Sequence, residues 1–343
     1  MDAKKVGAEN GVAYVFEVSG SEALAIANKN PTRAWNAKKF NDGFFEINHI
    51  SKFKILPDEP IFTMGSCFAR EVENNLTKLK YSLVTQDYGI EPEFYDTWNE
   101  EKGTGGGVMR GKLSRGAFNK YTVASMTNEI RRVLLNEQYE NNGLIEVQPG
   151  QWFDPHASGL KAGPFEVVSG LRDRIASGIA QIRKAKVIFL TLGLVEGWVD
   201  AMTGLSLVRP PTGRALVRLA DRFKLVRPSY TEALADLEEN IALIREHCDP
   251  GMRFVITVSP VPFHATFRPL DVVTANTLSK SLLRTLADEI SEKYDYVDYF
   301  PSYELVTNSP RNIAWKDDML HVERNMVSHV MKTFSAAYME NIE

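Results

Sequence analysis

Two short clusters, far apart in the chain, carry the residue types and spacings that acyl transfer needs. The first is Met64-Gly65-Ser66-Cys67-Phe68-Ala69. A hydroxyl and a thiol stand side by side after a glycine, and either becomes a nucleophile once a neighbour takes its proton. The second is Asp317-Asp318-Met319-Leu320-His321. An Asp three residues before a His can accept the Nδ1 proton, which fixes the tautomer and leaves Nε2 as a base. Each cluster also has an ordinary explanation. Serine is a preferred helix N-cap, and a free cysteine is commonly a small buried filler. Asp318 equally suits a cap before a helix, with His321 on the surface.

The elements that must position these residues are readable from periodicity. Pro60–Met64 reads as a short buried strand cut off by Gly65, and Phe68, Val72, Leu76 and Leu79 then recur at helical spacing. The first cluster therefore lies on a strand, a tight glycine turn and a helix start. There the positive end of the helix dipole and its free N–H groups favour a thiolate, so Cys67 is expected to have a lowered pKa.

Further on, helices are expected near Val123–Asn136, Gly170–Lys184, Tyr230–His247 and Val272–Lys293, with a last one near Glu323–Tyr338. Strands are expected at Val187–Leu192, Arg253–Val258 and Tyr296–Tyr299. Val187–Leu192 is apolar on both faces, as a central parallel strand requires. This alternation predicts an α/β fold, a parallel sheet covered on both faces with its ligand site at the carboxyl ends of the strands. Residues 1–55 read as an N-terminal wrap and 56–343 as the main domain. The glycine-rich 86–116 and the Arg- and Pro-rich 198–228 read as a mobile loop and a lid or insertion.

The two clusters in this order resemble the SGNH/GDSL hydrolases, and Gly65-Ser66-Cys67-Phe68-Ala69 is the run that names the GSCFA family. Four more segments fit that family: 191–196, 257–262, 279–284 and 299–304. The resemblance implies a three-layer SGNH-like fold and a Cys/Ser-His-Asp site of Cys67 or Ser66, His321 and Asp318. It places Gly65, Gly116, Asn119 and Gly193 on the oxyanion side. Two departures matter. GDSL enzymes have Asp between the glycine and the nucleophilic serine, which puts Ser66 at the Asp position and Cys67 at the nucleophile position. They also have a Gly-x-Asn-Asp block whose Asn donates to the oxyanion. Here that block is Gly193-Leu194-Val195-Glu196, and an ionised Glu accepts but does not donate.

Glu196 is read as a site-lining residue that orients substrate, acts as a second acid-base group or pairs with an Arg of 198–228. His264 follows a strand end and so is expected on the cleft side. His156 is read as a solvated loop residue, and His49, His247 and His329 show no partners in the sequence. No His/Cys/Asp/Glu cluster has metal-ligand spacing, and Gly105-Gly106-Gly107 lacks the Lys-Ser/Thr sequel of a phosphate loop.

Composition narrows the function classes. The chain has 343 residues, 44% hydrophobic and 24% charged, with a formal net charge of −4 and two cysteines. That charge argues against nucleic acid or an anionic membrane as the main partner. Two cysteines and the absence of an apolar leader suit a reducing cytoplasm. The expected activity is acyl transfer without a bound cofactor, with an ester or an acyl thioester such as acyl-coenzyme A as donor. Water or a glycan hydroxyl would be the acceptor. The rival reading is a catalytically idle scaffold that binds a carbohydrate or a partner protein.

Overall fold

The computed structural model describes residues 18–35, 39–41, 43–96, 115–211 and 214–339. Its centre is a parallel sheet of four strands, β1 (Ile61–Gly65), β2 (Val187–Leu192), β3 (Arg253–Val258) and β4 (Val297–Tyr299), in the order β4-β3-β2-β1. Every residue of β1 and β2 is buried. The continuous apolar run is divided by the pleat. Phe62, Met64, Ile188, Leu190, Phe254 and Ile256 join one core, and Ile61, Val187, Phe189 and Val255 join the other.

Helices α2 (Val123–Leu134), α3 (Phe165–Ile179), α4 (Tyr230–His247) and α5 (Val272–Lys293) contribute to the first core. Helices α1 (Cys67–Lys78) and α6 (Arg324–Tyr338) cover the opposite face through Phe68, Val72, Leu76, Met326, Val330 and Phe334. The fold is a mixed α/β architecture with helices on both faces of its sheet. The expected bounds hold at β2, α4, β3 and α5 and shift by a few residues elsewhere. The largest shift is at α3, which starts at Phe165 and gives way to a 3-10 turn over Ala180–Lys184.

The backbone of residues 49–55 is stitched to the end of α6. Ile55 N–H donates to Tyr338 O at 2.7 Å and Ser51 Oγ to Ala337 O at 2.6 Å. His49 has partners that its sequence context did not reveal: Nε2 lies 3.0 Å from the Tyr338 hydroxyl, which itself donates to buried Asp298 at 2.8 Å. His329 likewise lies 3.0 Å from Phe45 O.

The 198–228 stretch contributes to a small antiparallel sheet of Gly197–Asp200, Ser206–Leu207 and Phe223–Val226. Arg222 closes it with a bidentate pair to Asp200 at 2.7 and 2.6 Å. Most of the expected 86–116 loop lies outside the described residues. Among the described residues, no helix is long and apolar enough to cross a membrane.

Candidate functional site

The first cluster sits where β1 ends. Gly65 has φ +147°, and a Cβ there would lie 2.4 Å from Thr191 O on β2, so only glycine lets the two strands approach this closely. Ser66 follows in extended conformation and caps α1, its buried Oγ accepting from Phe68 N–H at 3.3 Å. Its oxygen therefore serves as the cap of this helix. Cys67 is the first residue of α1 and is half-buried.

The expectation of a lowered Cys67 pKa is overturned. Desolvation by burial raises the thiol, and Glu71 on the same helix adds to that. Lys280 and the N–H groups of Phe68 and Cys67 pull it down without reversing the direction. The helix dipole is a modest effect, and removing a charge from water outweighs it.

The second cluster forms the expected pair. Asp318 Oδ2 lies 2.6 Å from His321 Nδ1, and Asp318 Oδ1 accepts from the His321 and Leu320 N–H groups, each at 2.9 Å. Desolvation alone would raise this carboxyl, but the three hydrogen bonds and the imidazole hold it down at about 2. The imidazole is thus fixed by an ionised partner, with Nε2 turned away from it. Among the described residues, no direct hydrogen bond joins His321 Nε2 to Cys67 or Ser66.

The remaining predicted residues divide. Asn119 pairs beside Gly65 as a single parallel bridge, Lys120 N–H donates to Gly65 O at 2.7 Å, and the turn that delivers them begins at Gly116. The buried Asn119 Oδ1 has no hydrogen-bond partner. A Cβ on Gly193 would lie 2.8 Å from Tyr121 O and 3.4 Å from Ser66 Cβ, which places this glycine against the first cluster.

Glu196 is committed elsewhere. Its carboxylate accepts from Thr266 Oγ1 at 2.8 Å and from Phe267 N–H at 2.8 Å, so it ties down the loop after β3 rather than pairing with an Arg of 198–228. His264 on that loop is exposed. A small cavity close by is lined by Thr122, Leu194, Val195, Ala233 and Leu283, and excludes Ser66, Cys67 and His321.

Sequence reasoning missed two residues whose charge couples to that of Cys67. Tyr121 is one: its phenol is raised by burial and then by the Cys67 thiol. Lys280 is the other. It is 1% exposed, and its ammonium donates to Gly193 O at 2.8 Å. The signal was present, since Lys280 falls on the buried face of α5 with Leu283, Ala287 and Ile290. A lysine there contradicts the apolar stripe and is almost never fully buried without a reason.

The Asn119 turn is braced from behind by buried charges. Glu129 bridges Lys120 at 2.8 Å and Arg172 at 2.6 Å, with Asp154 3.6 Å from Arg172. Burial would raise Glu129, but Arg172 and Lys120 hold it at about 2. His156, expected in solvent, is buried in this group with Nδ1 3.1 Å from Ser206 O, and desolvation lowers its pKa. Glu129→Gln leaves two buried cations facing one carboxylate and is expected to cost about 3–5 kcal/mol. Urea denaturation measures this, and a loss below about 1 kcal/mol would show that the cluster is not needed.

The four other segments are tied together at or near the carboxyl ends of β2, β3 and β4. Thr191 faces Gly65, Ser279 Oγ accepts from Val195 N–H at 3.2 Å, and Thr257 Oγ1 donates to Phe300 O at 2.7 Å. Glu304 joins Arg284 and Tyr299, each at 2.7 Å. Fold and site together define a mixed α/β protein with a candidate nucleophile turn at the carboxyl end of a parallel strand and an Asp–His pair before its last helix. The GSCFA family profile matches residues 60–334, and the chain belongs to that family. No curated protein matches the chain. Among the described residues, no group of three His, Cys, Asp or Glu is arranged to hold a metal ion.

Proposed function

We propose that the protein transfers acyl groups through a covalent acyl-enzyme on Cys67, with His321 as an acid-base group and Asp318 orienting its imidazole. One observation carries the reading: the 2.6 Å Asp318–His321 contact, which fixes an imidazole in a chain whose first strand ends in a thiol at a helix start. The resemblance to SGNH/GDSL hydrolases supports the same assignment. Ser66, occupied as a cap, shapes the turn. Gly65, Gly116, Asn119 and Gly193 line the oxyanion side, where backbone and amide groups replace the Asn at whose position Val195 stands. The donor is an ester or acyl thioester, and the acceptor is water or a sugar hydroxyl in the cytoplasm, the glycan being chosen by analogy.

A second reading, an idle scaffold that binds a carbohydrate or a partner protein, is favoured by one observation. His321 Nε2 makes no direct hydrogen bond to the raised thiol of Cys67. Intact-mass spectrometry after exposure to a panel of aryl esters and acyl thioesters separates the two. Acyl transfer is expected to leave one acyl adduct, mapping to the peptide that contains Cys67. A protein that acquires no adduct from any donor is the scaffold.

A further inference from the structure

We propose that Arg115 and Lys120 are positioning residues for acylation: two ion pairs, one at each end of the 115–121 turn, hold the Asn119 amide beside Gly65 of the nucleophile turn. This rests on the acyl-transfer reading above and adds what fixes its oxyanion side. The turn is wedged between the carboxyl ends of β1 and β2. Asn119 bridges Gly65, Lys120 N–H donates to Gly65 O at 2.7 Å, and Leu194 N–H donates to Tyr121 O at 2.7 Å. Asn119 N–H is spent on Gly116 O at 3.0 Å, so what Asn119 can still offer is its side-chain amide. That residue is 3% exposed, and its Oδ1 has no partner.

Each end of the turn is clamped by a shared carboxylate. Lys120, wholly buried, carries its ammonium to Glu129 of α2 at 2.8 Å and donates to the His156 carbonyl. Glu129 also holds Arg172 of α3 at 2.6 Å. At the other end Arg115 reaches back to α1, the helix that Cys67 starts. Its guanidinium lies 3.0 Å from Glu73, a carboxylate that also pairs with Arg70 at 2.8 Å and accepts from Thr63 Oγ1 on β1. Asn119 thus stands between two clamps, one fastened to the helix of the nucleophile and one to the layer behind the turn.

Stability alone does not call for this wiring. Charges taken out of water cost about as much as their pairing returns, and apolar side chains of similar size hold a turn equally well. Burial brings the Arg115 guanidinium down to about 10 against the pull of Glu73. What the ion pairs add is direction. They fix the amide in one place, and a misplacement of about 1 Å costs on the order of a hundredfold in rate. Either cation can be removed without stranding a carboxylate, because Glu129 keeps Arg172 and Glu73 keeps Arg70.

Two reactions of the Cys67 thiol separate positioning from packing. Acylation by p-nitrophenyl acetate passes through an oxyanion, whereas displacement of iodide from iodoacetamide does not. Lys120→Met and Arg115→Met are each expected to acylate about a hundredfold more slowly, with alkylation kept within about twofold. Asn119→Ala is expected to show the same split, and the double variant Asn119→Ala with Lys120→Met to be little slower than either alone. Equal slowing of both reactions, or losses that multiply in the double variant, would overturn the proposal.

Amide hydrogen exchange reads the anchoring without a donor. In Lys120→Met the Lys120 N–H on Gly65 O and the Leu194 N–H on Tyr121 O are expected to exchange at least about tenfold faster, while the β3 amides keep their protection. Unchanged exchange at both overturns the anchoring. Should Lys120→Met fail to fold, Arg115→Met, whose side chain is 16% exposed, carries both readings. If neither p-nitrophenyl acetate nor any other donor labels the unmodified protein, acyl transfer fails and exchange decides the anchoring. If both Met variants acylate at the unmodified rate, the positioning role fails and acyl transfer stands.

Discussion

With an acyl donor identified by mass spectrometry, Cys67→Ala and His321→Ala are each expected to lose at least about a thousandfold in turnover. The reason is that nucleophile and acid-base group act as a unit. Once the thiol is gone there is no acyl-enzyme to resolve, and once the imidazole is gone the intermediate is not discharged. The double variant should therefore be little worse than either single one. Asp318→Asn is expected to retain more, because it removes the carboxylate charge from a 2.6 Å contact and leaves the base in place.

Ser66→Ala divides the motif. Its hydroxyl accepts from Phe68 N–H at 3.3 Å as the helix cap, so the expected cost is about 1 kcal/mol of stability with turnover largely kept. Steady-state rates of the five proteins, each checked for its unfolding midpoint, provide the comparison. If Ser66→Ala abolishes turnover while Cys67→Ala spares it, the nucleophile is the serine and acyl transfer survives. If none of the changes affects turnover, the catalytic assignment is wrong.

Gly65→Ala is expected to be the most damaging glycine-to-alanine change among the described residues. The added carbon would sit 2.4 Å from Thr191 O and 2.6 Å from Thr191 Cβ, and the φ of +147° is one that side chains rarely adopt. Neither neighbour is the end of a flexible chain: both belong to a central strand of a sheet buried on two faces. Relief requires β1 and β2 to separate, so a loss of about 3–5 kcal/mol is expected, enough to prevent folding in a protein of ordinary stability. Denaturant unfolding, or the soluble yield if the variant does not fold, measures it. Gly150→Ala is the control, because Gly150 also has a positive φ (+70°) but open space around its Cα. Equal losses at both sites would show that strain, not the close approach to Thr191, sets the requirement for glycine.

Much of this was legible before any coordinates. Val187–Leu192 and Phe254–Val258 announced themselves by runs that are apolar but for Thr191 and Thr257, and α4 and α5 by their periodicity, because burial on two faces or one stripe writes itself locally into the chain. The glycine before Ser66 and the Asp three residues before His321 were also legible, since both constraints act within a few residues.

What the sequence could not supply were contacts between residues distant in the chain. Lys280 reaches Gly193 across 87 positions, Glu196 answers to Thr266 and Phe267 rather than to an arginine, and His156 belongs to a buried ionic cluster. Tertiary structure also decided the state of Cys67. The sequence placed it at a helix start, where the local field favours the thiolate. How much water the thiol loses depends on everything packed above it, and in this fold desolvation is the larger effect.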